Sequence, residues 1–169
     1  MIIYLAHGAS GDASSMRPHL DGLSRRGLDA RPVSLKVGLA EKAVASYEQQ
    51  IDDLSQAAIG GHSYGGRVAS LLAAQHAPRA LVLLSYPLHR PGKSEWQPLT
   101  SHWPSISCPV LLLSGESDPF ARIELLHEAV DQLPTAELVT YPRVGHGLAR
   151  ELDDALDRIA AFLARVASA

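Results

Sequence analysis

The chain has 169 residues, 46% of them hydrophobic, and a formal net charge of −3, which is about one domain's worth of sequence with enough apolar residues for one buried core. No Lys/Arg cluster is present and no apolar run approaches the ~20 residues that span a bilayer, so neither a nucleic-acid partner nor membrane insertion is expected. Cys108 is the only cysteine; with no internal disulfide possible and an N-terminus that opens on an apolar strand rather than a basic leader, the expected location is cytoplasmic.

In chain order, short apolar β-type runs alternate with helical patterns, the sign of a parallel sheet covered by helices on both faces. The whole of 1–169 therefore reads as a single α/β domain of about six parallel strands. The first strand is predicted over 2–6 and ends in the glycine-bearing turn Ala6-His7-Gly8-Ala9-Ser10-Gly11. Residues 15–26 carry Met16, Leu20 and Leu23 on one helical face and stop at Gly27, a glycine cap. A strand is expected over 31–36, then a helix over 39–54 with Ala40, Val44, Tyr47, Ile51 and Leu54 on its stripe.

A third strand, 57–60, runs into Gly61-His62-Ser63-Tyr64-Gly65-Gly66, followed by the helix-forming run 67–74. Strand, G-x-S-x-G turn and helix in that order describe a nucleophile elbow, which lifts a serine hydroxyl clear of the sheet to attack a carbonyl. Glycine suits both flanks, because a Cβ on Gly61 or Gly65 would crowd the backbone where strand and helix cross. The elbow predicts Ser63 at φ > 0. The bland alternative is a glycine-rich turn with an incidental serine.

A fourth strand is expected over 80–86. The connection 87–108, with four prolines and two tryptophans, reads as an irregular loop at the end of the sheet where ligands bind in open α/β folds. Trp96 and Trp103 either line a substrate pocket or anchor that loop on the protein surface, and His89 and His102 remain candidate substrate contacts. Strands over 109–114 and 136–141 and a closing helix over 149–166 complete the chain.

A serine hydroxyl needs a base, and the base an orienting acid. The fifth strand runs into Ser114-Gly115-Glu116-Ser117-Asp118-Pro119, and the sixth into Tyr141-Pro142-Arg143-Val144-Gly145-His146-Gly147. Both loops follow strand C-termini, as Ser63 does, which makes Asp118 the preferred acid and His146 the preferred base. Glu116 is the competing acid. Among the other histidines, His19, His76 and His127 fall on helices and are expected at the surface, while His62 should point away from the Ser63 pocket. Oxyanion donors are expected from the N–H of Tyr64, after the nucleophile, and of Ala9, in the first strand-to-helix turn. Cys108 reads as a small core residue. No metal-ligand spacing is present, and the Gly8–Gly11 turn lacks the glycine and lysine pattern of a phosphate loop, so no metal or organic cofactor is assigned.

His7-Gly8, the Gly61–Gly66 elbow, Gly115-Glu116-Ser117-Asp118-Pro119 and Gly145-His146-Gly147, in that order, resemble the α/β-hydrolase superfamily over essentially the whole chain. Within it, Gly65-Gly66-Arg67-Val68-Ala69-Ser70 and Ser85-Tyr86-Pro87-Leu88-His89-Arg90-Pro91-Gly92-Lys93 resemble a small lidless group. That group includes dienelactone-hydrolase-like proteins, testis-expressed protein 30 and a subunit of a histone-acetylating complex. The resemblance implies Ser63 as nucleophile, His146 as base, Asp118 as orienter and the Ala9 and Tyr64 N–H groups as oxyanion donors. It further implies an open crevice without a lid, suited to small esters or thioesters. A non-catalytic interaction module on the same scaffold and a peptidase or amidase are the rival readings.

Overall fold

The computed structural model describes residues 1–92 and 99–169; Trp96 lies outside them. Among these residues six strands form one parallel sheet: β1 (Ile2–Ala6), β2 (Asp29–Val33), β3 (Ala58–His62), β4 (Ala80–Leu84), β5 (Val110–Gly115) and β6 (Ala136–Tyr141). Their order is β2-β1-β3-β4-β5-β6. The chain leaves β1 toward one edge and then crosses back over it to β3, so the winding reverses between β1 and β3. Loops diverge at such a reversal and leave a crevice outside the strand C-termini. The registers Ala6↔Gly61 and His62↔Leu84 place the ends of β1, β3 and β4 side by side at its mouth.

Among the described residues five α-helices cover the sheet: α1 (Arg17–Ser24), α2 (Ala40–Glu48), α3 (Tyr64–Gln75), α4 (Ile123–Val130) and α5 (Leu152–Ser168). Alternate strand residues point to opposite faces. Ile3, Leu5, Leu111 and Leu113 pack with Leu23, Leu156, Ile159 and Phe162 beneath α1 and α5. Tyr4, Ile59, Leu112 and their neighbours pack with Tyr47, Val68, Leu72 and Leu126 beneath α2, α3 and α4. Burial on both faces explains why β4 and β5 read as continuous apolar runs rather than alternating ones. Arg26, in the turn just after α1, clamps α5 through Asp153 and Asp157, both at 2.6 Å.

Boundaries move in places. The second strand is Asp29–Val33 rather than 31–36, because it pairs with β1 from Ile2↔Asp29 to Ala6↔Val33 and its partner ends there. The helix expected over 39–54 ends at Glu48, and Leu54 belongs to a separate 3-10 turn, Leu54–Gln56, capped by the Asp53 carboxylate. The fourth strand stops at Leu84, before the left-handed Ser85 at φ 48°. The helix expected over 15–26 is α1 over Arg17–Ser24 only, and Gly27, at φ 80°, closes the turn that follows it, with Leu28 N–H donating back to Leu23 O.

Trp103 is fully buried and meets the Tyr86 ring edge-on at 5.0 Å. It therefore anchors the described residues around it, 99–108, in the core against Tyr86, neither on the protein surface nor along a crevice. The Tyr86 hydroxyl donates to Leu99 O, and the His102 Nε2 and Ser70 Oγ pair at 2.8 Å ties the same connection to α3. Among the described residues no helix is long and apolar enough to cross a membrane.

Candidate active site

Ser63 follows β3 directly and caps α3 with φ 50° and ψ −111°, a conformation that side chains rarely adopt. The close crossing of strand and helix enforces it. The Ser63 N–H donates to Leu84 O at 2.8 Å, while the first turn of α3 presses against β1. A Cβ on Gly65 would lie 2.5 Å from Ala6 O and 2.6 Å from His7 O, so no larger residue fits.

The Ser63 Oγ–H donates to His146 Nε2 at 2.8 Å. On the other side of that ring, Nδ1–H donates to Asp118 Oδ2 at 2.8 Å and Oδ1 at 3.0 Å. A carboxylate can only accept, so the proton resides on Nδ1 and Nε2 is left bare to accept from serine. The Asp118 side chain is fully buried, and Oδ1 also accepts from Phe120 N–H at 2.8 Å. The His146 side chain is 24% exposed and sits between two rings, Phe120 at 4.3 Å and His62 at 5.3 Å between centroids. Three loops distant in sequence thus meet in one hydrogen-bonded line.

Glu116, the competing acid, is exposed and accepts from Thr140 Oγ1 at 2.9 Å, across β6 and away from His146. Ala9 is exposed in the turn closed by Gly11 N–H donating to Gly8 O, and Tyr64 is the first residue of α3. Both stand at the strand ends that flank Ser63. The Tyr64 side chain is buried, and its hydroxyl donates to Lys36 O at 3.2 Å.

Two histidines depart from expectation. His62 does not point away from the site. Alternation along β3 sends it to the face of Ala58, where α1 and the loop before α5 lie, and its Nε2–H donates to His146 O at 3.0 Å. His19 is half-buried rather than at the surface, because α1 turns it toward His62; burial, reinforced by His62, pushes its pKa down to about 4. His76 and His127 are exposed.

His89 is buried, with Nδ1–H donating to Arg90 O and Nε2 accepting from Arg122 N–H, and so holds loops together. His102 is half-buried and turned to Ser70, and burial, with the Arg67 charge adding to it, pushes its pKa down to about 4. Cys108 is a buried free thiol whose pKa burial pushes up to about 11, which makes it a poor nucleophile.

Sequence reasoning missed Phe120, which carried no signal beyond its nearness to Asp118, and the linking role of His7. That ring is buried; its Nδ1–H donates to Gly8 O and its Nε2 accepts from Leu35 N–H, joining the Ala9 turn to the exit of β2.

A family model described as "Alpha/beta hydrolase domain" matches residues 30–162. Among solved structures, the chain is similar to Est1E from Butyrivibrio proteoclasticus with ferulic acid bound, at 16% identity and TM-score 0.81 over 100% of this chain and 90% of that one. A monoacylglycerol lipase from Paleococcus ferrophilus aligns at 13% identity and TM-score 0.79 over 97% and 94% of the two chains. The enol-lactonase of Burkholderia xenovorans LB400 aligns at 15% identity and TM-score 0.78 over 96% and 90%. At such identities these structures speak for the fold, and the family match, across most of the chain, carries the assignment: this protein belongs to the alpha/beta hydrolase domain family.

Proposed function

We propose that this protein is a serine hydrolase cleaving carboxylic esters or thioesters through an acyl-Ser63 intermediate. Ser63 Oγ attacks the carbonyl carbon as His146 Nε2 takes its proton, and the Tyr64 and Ala9 N–H groups receive the oxyanion. His146 then gives the proton to the leaving alcohol or thiol. Water, activated in turn by His146, releases the acid and restores Ser63. Asp118 holds the ring in the one tautomer that can do this and stabilises the imidazolium.

The observation that carries this reading is the unbroken line from Ser63 Oγ through His146 to a buried Asp118, with 2.8 Å at each link. The names of two similar structures, a monoacylglycerol lipase and an enol-lactonase, favour ester bonds over amides. In the connection after β4 the described residues form only short turns, including the 3-10 turn Trp103–Ser105, which favours the open crevice of the small lidless group and short acyl chains. A free, buried Cys108 accords with a reducing, cytoplasmic location.

The test is labelling with a fluorophosphonate, followed by p-nitrophenyl esters of graded acyl length beside a Ser63→Ala control. The expected result is labelling of wild type alone and fastest turnover of short esters. Absence of labelling would hand the site to the interaction-module reading, and cleavage of anilides at rates matching esters would make the protein an amidase.

A further inference from the structure

His146 is flanked by Gly145 and Gly147, and neither has a side chain to seat it: a Cβ on Gly147 would meet nothing within 4 Å, one on Gly145 only Ser117 O at 4.0 Å, and the backbone is held on one side alone, where the Gly145 carbonyl lies over Gly115. Glycine on both sides leaves this backbone far freer to rotate than residues with a Cβ would. Yet the imidazole it carries must keep one nitrogen on Ser63 and the other on Asp118, and an angular error of a few degrees at the backbone grows along the side chain. Something has to hold this peptide.

His62 does so. Its Nε2 lies 3.0 Å from His146 O, and because a carbonyl can only accept, Nε2 carries the proton. In the neutral ring Nδ1 is then bare. It rests against Gly8, where a Cβ would come within 2.8 Å of it, so the Ala9 turn backs the ring on its far side. Burial lowers the His62 pKa from its ordinary value, favouring this neutral form. One imidazole thus spans the gap between the turn that carries Ala9 and the peptide that carries His146, from a position next to Ser63.

We infer that His62 is a positioning residue, whose Nε2–H fixes the His146 carbonyl and through it the alignment of the His146 ring with Ser63 and Asp118. The inference rests on the serine-hydrolase reading. It also gives the residue between Gly61 and Ser63 a chemical requirement: a side chain of imidazole length ending in an N–H donor.

The test compares three variants on a short p-nitrophenyl ester and on fluorophosphonate labelling. His62→Gln presents an amide N–H at about the same reach and should keep kcat within roughly 3-fold. His62→Met has similar length and no donor. It should lower kcat by roughly 10- to 100-fold, the penalty of a small misplacement of a reacting group, with KM nearly unchanged and the labelling rate falling in parallel. His62→Asn, polar but too short to reach the carbonyl, should behave like His62→Met and carries the comparison should the apolar variant not fold. Equal kcat in the Gln, Met and Asn variants, or a change confined to KM, would overturn the inference. If wild type is labelled at Ser63 and His62→Met is labelled just as fast, only the role of His62 is lost. If wild type is not labelled at all, the serine-hydrolase reading fails and the role of His62 fails with it.

Discussion

Gly115 stands directly beneath the carbonyl of Val144: a methyl group there would overlap Val144 O and Gly145 O. This contact, with Ser117 N–H donating to Val144 O at 2.9 Å, closes the loop bearing Asp118 onto the loop bearing His146. Gly115→Ala should therefore push the two loops apart and cut kcat/KM by at least 100-fold, besides lowering Tm. Unchanged kinetics in a folded Gly115→Ala variant would show that the Asp118 and His146 loops tolerate displacement.

Asp118→Asn replaces an acceptor by a group that can donate to Nδ1, and so favours the wrong tautomer of His146. Turnover should fall by about 10⁴-fold, the loss that this exchange produces in serine proteases, with little change in melting temperature. Glu116→Gln should stay within ~3-fold, because Glu116 faces Thr140 and solvent. A larger loss from Glu116→Gln than from Asp118→Asn would exchange their roles.

Stability should fall on acidification. His19 and His102 have their pKa values held down to about 4 in the folded protein, against the ordinary 6.5 that they regain on unfolding. Between those values the unfolded chain binds more protons, so their contribution is fully present above pH ~6.5 and is lost as the pH falls toward ~4. Urea midpoints of the Ser63→Ala variant at pH 7.5 and 4.5 would show the loss, and His102→Gln should make it smaller. A midpoint that does not move between the two would contradict neutral burial of both rings.

Ser63 holds φ 50° against the preference of any residue with a Cβ. Releasing that strain should make Ser63→Gly more stable than Ser63→Ala by about 1 kcal/mol, within the range such backbone outliers cost. Equal denaturation midpoints for the two inactive variants would mean the elbow stores no strain.

Several features were legible along the chain because they are written in local terms. Continuous apolar runs declared β4 and β5 buried on both faces, Gly27 marked the turn that follows α1, and Gly61 and Gly65 around Ser63 declared a crossing too close for a Cβ at either position. Chain order then put Asp118 and His146 in loops after β5 and β6, and parallel strands carry such loops to one edge of the sheet. What the sequence did not contain was direction across the third dimension. Nothing near Trp103 says that it enters the core instead of the crevice, because that depends on where Tyr86 and α3 lie. Whether Glu116 or Asp118 faces His146 is decided by the turn between them, which sends one side chain to β6 and buries the other. His62 and His19 look like bystanders in one dimension. His62 reaches His146, and His19 reaches His62, only because β3 alternation, the packing of α1 and the loop before α5 converge on the same face, and the free energy of that convergence comes from contacts far apart in the chain, 84 residues for His62 and His146. Local propensity and pattern fix which segments are strands, turns and helices; which polar side chains become partners is fixed by long-range packing, which no window of neighbouring residues encodes.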